Sequence, residues 1–296
     1  MLAAVTVVLG WISLFVPYMA LVLPSPMALL VYRHGAGAGL MAWAVAGVLS
    51  GVLLGGVQAV LLLIPMGLTG LGLGLALHAR LAPGRVLLAG VAGALLASLF
   101  SIGVSLWVMG INPFDQMLRL YEESMKGAIN LYRQLGVPAE QLDLLDQQLK
   151  LTMQALPRIL PAIFLSGAVF IAFASYWAVR VVLRRMGETL PWFEPFSRWR
   201  PTPVSAVALF AGLLLLMLHG GPSWVATAGA SLAVLGAGVA LVSGLSLLWF
   251  WYEQARVSRG MRVLITALLL WPSLTWGYLL LLGAGLADAW FNFRRL

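Results

Sequence analysis

The residues able to do chemistry are few and scattered. Histidine occurs at His34, His78 and His219, each near the expected end of an apolar helix. Three or four converging ligands make a metal site, and single histidines at helix ends read as interface residues. Cysteine is absent, which excludes disulfides, thiolate metal sites and cysteine nucleophiles. No HExxH, GxSxG, aspartate-rich diphosphate or Walker pattern occurs. Gly67, Gly70, Gly72 and Gly74 resemble a phosphate loop only superficially. They sit inside an apolar helix, with no strand before them and no Lys-Ser/Thr after them. Glu253 and Arg256 form an i,i+3 pair at a membrane exit, read as a solvated pair rather than a proton relay. The expectation is therefore a non-enzyme with no catalytic residues, no metal and no cofactor.

The apolar segments carry essentially no charge in their middles. A proton- or ion-coupled carrier keeps a carboxylate or arginine there, so the polar groups left to consider are Gln58, Ser101, Ser105, Thr227 and Ser243. Each hydroxyl has a bland alternative, a bond to its own helix; the amide of Gln58 needs more partners. Val16-Pro17 and Leu23-Pro24-Ser25-Pro26 break the first segments. Such a break is a simple kinked hairpin or an unwound stretch lining a cavity. On the second reading, Pro24, Pro26, Gln58, Ser101 and Ser105 are the candidate ligand-binding residues, and the ligand is an uncharged or apolar small molecule.

The elements that must position these groups follow from composition. Of 296 residues, 61% are hydrophobic and 9% charged. Soluble domains carry about 25% charged residues, so the chain reads as an all-α integral membrane protein partnered by the lipid bilayer. Its net charge of +8 reads as orientation and anionic-lipid contact, and no nucleic-acid partner is expected. Apolar segments are expected at 2–15, 18–33, 38–56, 58–79, 86–109, 159–183, 204–219 and 224–251. A last one, 263–286, is broken at Pro272 and free to turn back there. That gives about 8–9 transmembrane segments. Gly47, Gly51 and Gly55, and again Gly236, Ala240 and Gly244, form small-residue stripes suited to close helix contact.

Between 111 and 155 the chain changes character, with six acids and four bases. Asn112-Pro113 is an N-cap followed by proline at the first helical position. Apolar residues then recur at helical spacing on both sides of Gly136-Val137-Pro138. This predicts an extracytoplasmic amphipathic helical hairpin, a solvated connector or a lid. Pro157 and Pro161 are expected to open the following span. The domain reading is 1–110, an N-terminal transmembrane block; 111–157, the hairpin; 158–183, a transmembrane helix; 184–203, a cytoplasmic connector; and 204–296, a C-terminal transmembrane block.

The connector carries Arg184, Arg185, Arg198 and Arg200 among Trp192, Phe193, Phe196 and Trp199. If helical, its aromatics share one face, as the membrane–water boundary favours. Arg184, Arg185, Trp192, Phe193, Phe196, Trp199 and Arg200 are the candidate interface residues, for lipid or for a membrane-protein partner. Placing the arginine-rich loops inside sets the N-terminus in the cytoplasm and 111–155 outside, in a bacterial plasma (inner) membrane.

Several of these patterns together resemble the YybS-like family of bacterial polytopic membrane proteins. They are Val16-Pro17, Leu23-Pro24-x-Pro26, Arg33-His34-Gly35, the acidic insert, Leu190-Pro191…Phe196-x-x-Trp199-Arg200, and the tail residues Gly285, Asp288 and Arg294. The first block is also distantly similar to the substrate-binding S-components of energy-coupling-factor transporters and to the rod-shape protein MreD. The alanine-spaced docking motif and charged ligand residues of S-components have no counterpart here. The YybS-like resemblance implies no established activity; the likeness to S-components implies, by fold-level analogy, a transport-related, S-component-like small-molecule binder. The alternative is a membrane scaffold or assembly factor for cell-envelope or sporulation machinery.

Overall fold

The computed structural model describes residues 17–199, 203–218, 223–271, 275–291 and 293–294; the side chains at 17, 18, 53, 54, 57–59, 61, 62, 64, 65 and 275 lie outside the description. All regular structure among these residues is helical. The chain divides into two compact units, one of 1–153 with 163–192 and one of 154–162 with 193–296.

In the first unit, a short 3₁₀ turn (Pro17–Val22) leads into α1 (Ser25–Leu54). Pro24 and Pro26 do not leave an unwound stretch. They open the helix, where a missing N–H costs nothing, and the Pro24 carbonyl accepts the Ala28 N–H at 3.0 Å. α1 is itself a hairpin. Gly35 takes φ 80°, ψ 178°, and a Cβ at Gly39 would collide with Val31 and meet Met27. A continuous helix would hold residues 31 and 39 about 12 Å apart, so the chain reverses at Gly35. Gly55, at φ 85°, makes the next reversal into α2 (Gly56–His78), and Pro83 opens α3 (Pro83–Trp107).

α3 buries a stripe of small residues and exposes several large ones. On α3, Gly90, Gly93, Ala94 and Ala97 are buried, while Leu88, Leu96, Leu99 and Phe100 are more than half exposed. Water does not select that pattern; lipid does, because association there rests on close backbone packing. A Cβ at Gly72 would fall 2.5 Å from the Ala89 carbonyl oxygen, and one at Gly93 2.5 Å from that of Leu68. Along the stripe Gly47–Gly51–Gly55, Gly47 meets Leu63 at ordinary distance, a Cβ at Gly51 meets nothing within 4 Å among the described residues, and Gly55 is a turn.

Asn112 caps α4 (Pro113–Gln134), its Oδ1 accepting the Phe114 N–H at 3.0 Å. α5 (Ala139–Arg185) is one helix of 47 residues. Pro157 and Pro161, expected to begin the span, lie inside it. At 1.5 Å per residue it is about 70 Å long, more than twice the ~30 Å hydrocarbon layer. α4 runs antiparallel along its first part. Phe114 stacks edge-on to Phe164 at 5.5 Å. Ile129, Leu142 and Leu149 form a small core with Tyr121, Met125, Leu145 and Met153.

The second unit holds α6 (Pro203–Met217), α7 (Ser223–Gln254), α8 (Arg259–Leu269) and α9 (Thr275–Phe291). Here the small-residue stripe does pack. A Cβ at Gly236 would strike Leu209 of α6, and one at Gly244 would sit 1.9 Å from the Leu281 carbonyl of α9. The segment expected at 263–286 is two helices; Pro272, between them, lies outside the described residues. Four described helices are long and apolar enough to cross a membrane: Met19–Val52, Pro83–Trp107, Ala139–Arg185 and Ser223–Gln254. The reversal at Gly35 divides the first of these. Shorter apolar stretches are Met66–His78, which is the second part of α2, Pro203–Met217 and Trp276–Phe291.

Candidate functional site

Three hydroxyls in the first unit are buried without a hydrogen-bond partner among the described residues: Ser50, Thr69 and Ser101. Serine and threonine in a helix ordinarily bond the carbonyl four residues back. Ser98 does so to Ala94, Thr227 to Ser223 and Ser243 to Val239. Ser50 and Ser101 do not, and leaving a buried hydroxyl unpaired costs about 1–3 kcal/mol.

Helix register sets these two at one level of α2, on its two flanks. Trp43 donates its Nε1–H to the Leu63 carbonyl at 3.0 Å, and Gly47 faces Leu63. Continuing that antiparallel register sets Ser50 beside Val60. On the other flank, Gly72 faces Ala89 and Gly93 faces Leu68, which sets Ser101 beside Val60 as well. Gln58 occupies the same end of α2 by its backbone; its side chain lies outside the described residues. Ser105, one turn further along α3, donates to the Ile111 carbonyl at 2.9 Å. No charged residue occurs in 47–63 or 97–107. The end of this three-helix layer therefore offers hydroxyls in an uncharged, apolar setting.

Pro24 and Pro26 belong elsewhere. Both are buried, and a Cβ at Gly70 would fall 2.8 Å from the Pro24 carbonyl. Gly70 lies ten residues, about 15 Å, along α2 from Val60. Ser101, Ser105 and the backbone of Gln58 thus share one end, and the two prolines do not.

The connector aromatics do not share a face, because one 3₁₀ turn (Phe196–Arg198) is its regular structure among the described residues. Trp192 packs on α5 in the first unit. It lies 5.0 Å from Tyr176 and 5.7 Å from Phe173, with the Arg180 guanidinium 4.4 Å over its ring, and Tyr176 donates to the Pro191 carbonyl. Phe193, Phe196 and Trp199 pack in the second unit, Phe196 reaching Trp249 at 6.1 Å. Arg184 and Arg185 are exposed, and Arg200 lies outside the described residues. Glu188 pairs with Arg33 at 2.8 Å and accepts from the Tyr32 hydroxyl at 3.1 Å.

Sequence reasoning noted Asp288 and Arg294 as tail residues and missed what they build. Both side chains are fully buried, with Arg294 Nε 3.1 Å from Asp288 Oδ2. Arg294 also donates to the Ser197 carbonyl at 2.6 Å, the Ser246 hydroxyl at 2.8 Å and the Ser243 carbonyl at 3.2 Å. The contact with Asp288 is a charge pair rather than a well-angled hydrogen bond: neither carboxylate oxygen has a hydrogen-bond donor among the described residues. Ser243 lies twenty residues, about 30 Å, from the Ser223 end of α7. The tail therefore returns to the connector's end of this unit. The available signal was that Asp288 is one of two acids after residue 203, closing an apolar helix six residues before an arginine.

Long apolar helices that leave many large side chains exposed, packed through small-residue stripes, define a polytopic α-helical membrane protein. Comparison with known families agrees. The chain belongs to the family described as predicted membrane protein (DUF2232), which matches residues 4–289. It is 27% identical over 220 residues to "Uncharacterized protein YybS" of Bacillus subtilis (strain 168), covering 73% of this chain and 68% of that protein. No solved structure matches.

Proposed function

We propose that this membrane protein is a transport-related binder of an uncharged small molecule, held at the Ser50–Ser101 end of the α1–α3 layer. The observation that carries the reading is the pair of buried hydroxyls, without a hydrogen-bond partner among the described residues and set by register at one level of α2. With no charge nearby, they select a neutral ligand that exchanges hydrogen bonds. The layout's similarity to S-components supports the same reading at the level of fold analogy. Arg33, Arg80, Arg85, Arg184 and Arg185 lie at the opposite helix ends of this unit. The positive-inside rule then puts the hydroxyls on the outer side of the plasma membrane, the side of the α4–α5 hairpin.

Because the chain lacks cysteine, Ser101→Cys gives a single labelling site. A membrane-impermeant maleimide should modify it from outside intact cells, and Arg184→Cys only after permeabilisation. A Ser101→Cys protein inert from both sides would overturn the reading. A second reading, a scaffold for envelope machinery, is favoured by exposed Leu120, Leu131, Leu135, Leu144 and Leu151 on the hairpin. It predicts that Leu131→Asp with Leu144→Asp abolishes a specific membrane-protein cross-link while leaving Ser101→Cys labelling intact.

A further inference from the structure

Among the described residues, two helices end on a left-handed residue that carries a side chain, and in both the residue is arginine. Arg80 follows α2 and Arg256 follows α7, each at φ 51°. Their backbone bonds are alike. Arg80 N donates to Leu77 O and Leu81 N to Ala76 O; Arg256 N donates to Glu253 O and Val257 N to Tyr252 O. After α4 and α5 the same position, with the same two bonds, is filled by Gly136 and Gly187 at φ 80° and 85°. Glycine is what this position favours. Arginine there strains the backbone and gains nothing in backbone bonding.

The gain must lie in the side chain. Both arginines are exposed, and among the described residues neither pairs with an acid. The expected Glu253–Arg256 pair does not form, because Arg256 has already left the helix. Nor is Arg256 needed to serve the end of α7. Arg262 does that, donating to the Val257 carbonyl at 2.8 Å and the Tyr252 carbonyl at 3.4 Å. Near Arg80, Glu188 is engaged by Arg33. Each arginine thus holds an unpaired guanidinium where an apolar helix leaves the bilayer, the layer that headgroup phosphates occupy.

We propose that Arg80 and Arg256 are two anionic-lipid sites, one in each unit, each taking the phosphodiester of an anionic phospholipid on its guanidinium fork. Strain kept at a specific position is a mark of such a use.

The test uses the full chain in detergent supplemented with phosphatidylcholine alone or with phosphatidylglycerol. Native mass spectrometry reads retained lipid, and a melting curve reads stability. Arg80→Gly and Arg256→Gly should each weaken phosphatidylglycerol retention at one site about fivefold, the factor set by one basic residue at a charged surface. In phosphatidylcholine alone both variants should melt at the wild-type temperature or above, since glycine relieves the strain. Arg80→Lys and Arg256→Lys should retain most of the binding. Glycine variants that keep full phosphatidylglycerol retention would overturn the proposal. So would glycine variants that melt lower in phosphatidylcholine, which would make the arginines helix caps. Displacement of the lipid by millimolar inorganic phosphate would overturn it too, by showing a site for free phosphate.

Discussion

Arg294→Met removes the guanidinium from the second unit and leaves the Asp288 carboxylate buried without its countercharge. The bonds of Arg294 include three donated to Ser197, Ser246 and Ser243 and an ion pair with Asp288, all fully buried. Breaking one partner of a buried pair costs about 3–5 kcal/mol, mostly the penalty of the charge left behind. Asp288→Leu should cost less, because Arg294 keeps its three acceptors at Ser197, Ser246 and Ser243. The double variant Asp288→Leu/Arg294→Met strands no ionic charge. Replacing both members of such a pair is often neutral or better, though the carbonyls of Ser197 and Ser243 lose a donor. The double variant should therefore be less damaged than Arg294→Met alone. Equilibrium unfolding in mild detergent, run as a double-mutant cycle, measures this directly. Additive losses, or Arg294→Met unfolding like the wild type, would refute the account of this network.

Further outcomes follow from packing. Gly244→Ala places a methyl 1.9 Å from the Leu281 carbonyl; it should force α7 from α9 and cost about 1–3 kcal/mol as overpacking does, measured by thermal melting. Gly51→Ala meets nothing within 4 Å among the described residues and should leave stability unchanged or raise it by up to about 1 kcal/mol. Thr69→Val removes a buried unpaired hydroxyl, so unfolding should show a neutral or stabilising effect rather than the loss that deleting a made bond gives. Glu188→Gln breaks a pair whose side chains are 33% and 40% exposed; its cost in a melting experiment should stay below about 1 kcal/mol.

Much of the fold was legible because apolar runs and turn residues are local signals. Asn112-Pro113 announced α4, Gly136 ended it, and Arg33-His34-Gly35 marked a reversal whose cause, the positive φ of Gly35, is a property of glycine itself. The continuity of α5 through Pro157 and Pro161 was not legible. A proline costs a helix one hydrogen bond and a clash, and whether the surroundings tolerate that is a tertiary matter. The Gly47–Gly51–Gly55 and Gly236–Ala240–Gly244 stripes look alike in sequence, yet among the described residues the second packs backbone-close and the first shows only the ordinary Gly47–Leu63 contact, since a stripe specifies a capacity for close approach and not a neighbour. At the site, Ser101 was visible as a polar residue in an apolar span. Ser50 became a partner to it through the register of α1 and α3 on α2. Arg294 and Ser197, 97 residues apart, meet through tertiary structure alone.

If the Ser50–Ser101 end of the α1–α3 layer holds a neutral small molecule, that molecule should leave the membrane with the protein. Native mass spectrometry of the protein purified gently from membranes tests it most directly. The prediction is a bound mass, distinct from phospholipid, that is reduced in Ser101→Ala and absent in Ser50→Ala/Ser101→Ala while both variants remain folded. A wild-type protein that carries no such mass, or a mass that survives in the double variant, would contradict it.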